Sequence, residues 1–213
     1  MKVSHIKFFV SGVAAMLLSS CNGIFEGIYD QPSDNTVSEY GFITAPSTPL
    51  PGTIYIDATG YTNWVYLNFE DMSTTTLGVD DDAPAHWDIA IHRYDAKTNG
   101  GSVAVTDATD FSDIINGNYS LGEYTADTWT EEQVITDVSN MVDGYLGYVA
   151  SDYNAVLSQW LDVDTTNMPP TYTLSNRIYV IRLADGRKIA VRLDNFMNSS
   201  SIKGYMTISY SVI

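Results

Sequence analysis

For most of its length the chain reads as short runs of alternating apolar and polar residues, cut by turn-forming clusters, a period of two that predicts strands. Thr53-Ile54-Tyr55-Ile56-Asp57 and Trp64-Val65-Tyr66-Leu67-Asn68-Phe69 lie on either side of Gly60 and predict a hairpin. Trp87 to Tyr94 predicts a third strand. It leads through Lys97-Thr98-Asn99-Gly100-Gly101, where Asn-Gly signals a tight turn, so Ser102 to Thr106 is expected to return as its partner. Near the end, Arg177 to Leu183 and Lys188 to Leu193 flank Asp185-Gly186, and Gly204 to Ile213 supplies a last strand. Two stretches allow helix. Asn154 to Leu161 puts Val156, Leu157, Trp160 and Leu161 on one face. Thr130-Glu131-Glu132-Gln133 resembles a capping box, with Val134, Ile135, Val138, Met141 and Val142 near helical spacing. The second stretch is β-branched enough to suit a strand equally well.

The N-terminus follows a different pattern. Lys2 and Lys7 precede an apolar run from Phe8 to Leu18, which is of signal-peptide length and too short to span a bilayer permanently. The run ends in Leu18-Ser19-Ser20-Cys21, which looks like the lipobox of bacterial lipoproteins. Residues 1–20 are therefore expected to be a signal peptide. Cys21, the only cysteine, is expected to carry the lipid, which excludes a disulfide framework. At roughly 0.8 kcal/mol per buried CH₂, two or three acyl chains anchor stably. Pro32, Pro46, Pro49 and Pro51 break regular structure, so residues 21–51 read as a lipidated tether and residues 52–213 as one domain.

Charge and residue counts exclude several functions. The formal net charge is −16, and losing Lys2 and Lys7 with a signal makes it more negative. Such a surface repels nucleic-acid phosphates and anionic headgroups, so no nucleic-acid partner is expected and membrane contact falls to the anchor. No Gly-x-Ser-x-Gly elbow, phosphate-cradling loop or His-Glu-x-x-His pair is present, and no enzymatic role is expected. Asp162-Val163-Asp164-Thr165-Thr166-Asn167 begins like a calcium loop, but Thr173 stands where the closing Glu is needed. Beyond the signal only His86 and His92 remain. Six residues apart on one strand, they would stand about 20 Å apart at roughly 3.3 Å per residue, too far to grip one iron.

Five methionines follow the signal: Met72, Met141, Met168, Met197 and Met206. Methionine ordinarily fills core, and Met206, alternating with Ile208, fits that role. Met168 does not. It sits in the polar loop Thr165-Thr166-Asn167-Met168-Pro169-Pro170, where two prolines forbid helix and stiffen the backbone. Met141 lies between Ser139-Asn140 and Val142-Asp143-Gly144, again near a turn.

Several blocks together resemble the HmuY family of haem-binding, hemophore-like lipoproteins of the Bacteroidota. They are Trp87-Asp88-Ile89-Ala90-Ile91-His92-Arg93-Tyr94 with Lys97-Thr98-Asn99-Gly100-Gly101, then Met168-Pro169-Pro170-Thr171-Tyr172-Thr173, and the stretch Tyr179 to Arg192. The resemblance runs from about residue 25 to the C-terminus. It implies an all-β fold with minor helix: a single antiparallel β-sandwich-like domain whose projecting loops form a haem cleft. Family members hold haem iron with two histidines or two methionines from those loops. No histidine follows His92, so the resemblance implies Met141 and Met168 as axial ligands of haem b; Tyr145 and Tyr172 either line the macrocycle or pack in the core. A neutral, soft thioether favours ferrous iron. The resemblance also implies host haemoproteins as the haem source, a TonB-dependent outer-membrane receptor as recipient, and an outer-membrane location exposed at the cell surface. The alternative is a cofactor-free surface interaction or adhesion lipoprotein on the same β framework.

Overall fold

The structure is a computed structural model, describing residues 40–166 and 169–213. The expected signal peptide, Cys21, most of the tether and Met168 lie outside the described residues. The sheet begins inside the stretch read as tether, because Gly41–Thr44 (β1) pairs antiparallel with Gly52–Asp57 (β2).

Two antiparallel sheets pack face to face. The larger has seven strands in the order β1, β2, β15 (Lys203–Val212), β14 (Lys188–Met197), β13 (Tyr179–Arg182), β7 (Ser102–Val105), β8 (Thr125–Ala126). The smaller has the order β4 (Ser73–Gly78), β3 (Asn63–Asn68), β5 (Ile89–His92), β6 (Asp95–Thr98). The alternation read in the sequence supplies the inner faces. Ile54, Ile56, Ile181, Val191, Met206 and Ile208 of the first sheet meet Val65, Leu67, Ile89 and Ile91 of the second in one buried core. The fold is thus all-β and sandwich-like, as the resemblance implied.

Each sheet is covered on its other face. A short helix, Phe111–Asn116 (α1), lays Phe111 and Ile114 against Ile178 and Ala190 of the larger sheet. Asp110 starts it by accepting a hydrogen bond from the Ser112 amide at 2.7 Å, and Gly117, at φ 71°, ends it. On the smaller sheet, Trp64, Tyr66 and Ala90 pack against Val134 and Val149. These belong to an antiparallel ribbon, Thr128–Asp137 (β9) with Gly147–Tyr153 (β10). A second ribbon pairs Leu161–Asp164 (β11) with Thr171–Leu174 (β12).

Three expectations need correction, and one reading left open is decided. β2 and β3 do not form a hairpin, because β2 stays in the larger sheet and β3 pairs with β4 and β5 in the smaller. The Gly60 connection passes from one sheet to the other, and each strand buries its apolar side chains in the shared core. The strand ending at Tyr94 does not return as Ser102–Thr106. It reverses at Arg93, pairs with β6, and β7 crosses to the larger sheet. Arg93 has φ 54°, unusual for a side chain that is not glycine. Its guanidinium donates to the carbonyl of Thr59 at 2.7 Å and to those of Ala58 and Lys203 at 3.4 Å, which offsets the local strain. The expected return strand was therefore displaced by a tertiary contact. Finally, the capping-box stretch is strand: β9 spans it, in keeping with its β-branched residues. The other helical stretch shrinks to one 3₁₀ turn, Leu157–Trp160.

Candidate functional site

The two ribbons leave the body as arms from one shared base. β10 ends at Tyr153 and β11 begins at Leu161, and the intervening segment is deeply buried at Asn154, Leu157 and Trp160. The Trp160 indole donates to the Tyr94 carbonyl at 2.8 Å, and the Ala96 amide donates to the Ser158 hydroxyl at 3.0 Å. Burial of the indole with its N–H satisfied ties this segment to β6.

Met141 stands at the tip of the first arm, opening a 3₁₀ turn, Met141–Asp143. The tip is ordered by local bonds. The Met141 amide donates to the Val138 carbonyl at 3.1 Å, and the Gly144 and Tyr145 amides donate back to Met141 and Asn140. Gly144, at φ 82°, allows that reversal. Asp137 accepts from the Ser139 amide at 2.8 Å, a bond that holds its carboxyl below the usual range. Three large apolar side chains stand uncovered among the polar ones of this tip: Met141 is 48% exposed, Val142 96% and Tyr145 72%. Such a group on an arm is unused by the core.

The remaining described methionines are employed elsewhere. Met197 and Met206 are buried, and the Met72 sulfur accepts from the Tyr210 hydroxyl at 3.8 Å. Met141 is thus the described methionine whose thioether is both exposed and without such a bond.

The second arm carries the Met168 turn. Met168 itself is outside the described residues, so only its flanks are placed. Asp164 accepts from the Thr166 amide at 2.8 Å and hydroxyl at 2.6 Å, which lowers its pKa and occupies it in an Asx turn. Its calcium-like surroundings are therefore a β-ribbon and its turn. Beyond the prolines, Tyr172 stacks on Phe196 at 5.5 Å, meets Tyr94 edge-on, and lies under the Lys203 ammonium at 4.7 Å. Tyr172 pins the arm to the body, whereas Tyr145 is free beside Met141.

Neither histidine belongs to an arm. His92 is fully buried, bonded through Nε2 to the Tyr61 carbonyl at 2.8 Å, and burial holds its pKa down. His86 is exposed at a polar cavity of about 430 Å³, where Arg187 meets Asp185 at 2.6 Å and Glu70 and Asp88 at 3.6 Å. One cation is shared there among three carboxylates, so the cavity keeps a net negative charge, and its lining is mostly polar.

Charge on the arms is one-sided. Between Lys97 and Arg177 there is no Lys, Arg or His, while Glu131, Glu132, Asp137, Asp143, Asp162 and Asp164 lie on the arms. This cation-free stretch was visible in the sequence. The residues that hold the arm stems, Asp127 and Asn154, carry no motif and were not.

Fold and site together define a class: a small two-sheet antiparallel domain that holds out two hairpin arms from one anchored base. The chain belongs to the HmuY family, whose model, "HmuY protein", matches residues 60–210. A structure from Bacteroides vulgatus, described as an HmuY-like haem-binding protein, is 48% identical, with 81% of this chain and 97% of that one covered and a TM-score of 0.75. A Bacteroides fragilis protein described as a lipoprotein is 45% identical, with 83% and 96% covered and a TM-score of 0.76. The apo form of a Tannerella forsythia HmuY analog shares the fold at 24% identity, with 76% and 95% covered and a TM-score of 0.65. No curated protein matches the chain.

Proposed function

We propose that this chain captures haem b between the thioethers of Met141 and Met168, one from each arm. The observation that carries the reading is the uncovered Met141 at the tip of the first arm, where Val142 and Tyr145 are exposed as well. The family and the haem-binding description of the B. vulgatus relative support the ligand class. Haem would supply an iron with two open axial positions, and a thioether is a neutral donor for either.

The chain's own residues give the pair its character. Thioethers do not titrate, so ligation is insensitive to mild acid, and their softness favours ferrous iron. The arms offer no cation to propionates, so affinity rests on iron–sulfur bonds and on apolar cover from residues such as Val142 and Tyr145. Lipid on Cys21 would tether the domain to the outer membrane, exposed at the cell surface. There it would take haem from host haemoproteins and pass it to a TonB-dependent receptor. The test is a haem titration under oxidising and reducing conditions. The protein should give a low-spin, six-coordinate spectrum, and Met141→Ala combined with Met168→Ala should abolish it. A low-spin spectrum that survives the double substitution removes these ligands from consideration.

A further inference from the structure

The first arm is joined to the body by a built hydrogen-bonded clamp at its stem. Asp127 immediately precedes β9, and Asn154 immediately follows β10. One Asp127 oxygen accepts from the Asn154 side-chain amide at 2.7 Å, and the other accepts from the Thr98 backbone amide, at the end of β6, at 2.5 Å. Asn154 is fully buried and uses its remaining groups. Its side-chain amide also donates to the Thr125 carbonyl at 3.1 Å, its side-chain oxygen accepts from the Leu157 amide at 2.9 Å, and its backbone amide donates to the Ala96 carbonyl at 2.7 Å. One residue before Thr98, the Lys97 ammonium lies over the Trp64 ring at 4.1 Å and donates to the Ser151 hydroxyl of β10 at 3.3 Å.

We propose that the Asp127–Asn154 pair is the positioning device of the haem site: it closes both stems of the first arm on Thr98 and so sets where Met141 stands. The proposal rests on the haem reading above. Val134 and Val149 also hold the arm to the smaller sheet, but apolar contact tolerates sliding, whereas these bonds have direction. Leverage makes direction matter. The ribbon is held on the smaller sheet at the facing Val134 and Val149, and Asn154 lies five residues away, about 16 Å at roughly 3.3 Å per residue, so a stem shift of about 2 Å turns the arm by about 7° about that contact and moves a tip roughly 10 Å beyond it by about 1 Å. Displacements of that order separate a bond-forming pose from a lost one. The clamp consists of partly or fully buried groups on three chain segments, so breaking it leaves a donor or acceptor stranded.

The test exchanges the two side chains. Asp127→Asn leaves one acceptor oxygen for two donors. Asn154→Asp sets two carboxylates where a hydrogen bond now lies. The exchange D127N/N154D restores a donor facing an acceptor and leaves the Thr98 and Leu157 bonds available, but it loses the donor to Thr125 and sets a buried carboxylate oxygen near that carbonyl. Each single variant should weaken ferrous haem binding by about ten-fold or more and add a high-spin, five-coordinate fraction, with the exchange recovering part of the loss. Amide hydrogen exchange over residues 128–153 should quicken in each single variant and slow again in the double. Single variants with unchanged affinity and spin state overturn the proposal, as does a folded double variant that fails to recover. If the unaltered protein binds no haem, the haem reading falls, and amide exchange alone then decides the clamp: unchanged exchange in the single variants overturns it.

Discussion

Met141→Ala and Met206→Ala remove the same atoms from two environments, and the structure predicts opposite consequences. Met206 is fully buried in the core between the sheets, at the β15–β2 pairing. Its truncation loses the transfer free energy of the side chain and leaves a cavity, a cost of about 2–5 kcal/mol. Met141 is 48% exposed at an arm tip, with no core around it. Only about half of a full-burial value of roughly 1.5–3 kcal/mol is at stake there, and no cavity forms, so its loss should cost about 1 kcal/mol. Urea unfolding without haem measures both. Met206→Ala should lower the midpoint strongly and Met141→Ala barely. Haem titration should invert the order, with Met206→Ala keeping the low-spin spectrum while it remains folded and Met141→Ala losing it. The reasoning fails if Met141→Ala destabilises the apo protein as much as Met206→Ala, because Met141 would then be a packing residue.

Three further outcomes follow from the same chemistry. Ferrous haem should bind more tightly than ferric, since both donors are neutral sulfur; equal affinities on titration under dithionite and in air would contradict thioether ligation. Haem affinity should hold or rise between low salt and about 0.5 M salt, because the cation-free arms repel propionates and salt screens that repulsion; a marked fall would require cationic contacts that the arms lack. Burial pushes Asp95 up to about 7, so the folded protein binds a proton there that the unfolded chain releases near pH 4. That contribution is complete below pH 4 and is lost as pH rises towards 7, at most about 4 kcal/mol. Asp95→Asn should therefore stabilise the apo protein at pH 8 relative to pH 4, and pH-dependent denaturation showing the same slope for both proteins would refute the assignment.

Some of this molecule could be read without coordinates because the signals were local. Asp185-Gly186 between two β-branched runs marks the β13–β14 hairpin wherever the rest of the chain goes. The alternation of Met206 with Ile208 assigns one face of β15 to the core. Met141 and Met168 were singled out because polar or proline-bound turns are poor places to bury a thioether, and Met141 indeed stands exposed at a turn. Other features had no local signal. The capping-box spacing around Thr130 satisfies helix and strand alike, and packing of Val134 on Trp64 and Tyr66 accompanies the strand.

What residue order determined by itself is the strand period of most of the domain and the turn chemistry that punctuates it. What only the tertiary structure decided is which strands pair and where the arms point. The Arg93 reversal depends on carbonyls of Ala58, Thr59 and Lys203, and the stem of the first arm on Thr98, Asp127 and Asn154. Those partners are far apart along the chain, so no local pattern encodes them. Their directional bonds exist only once the two sheets have closed on a shared core.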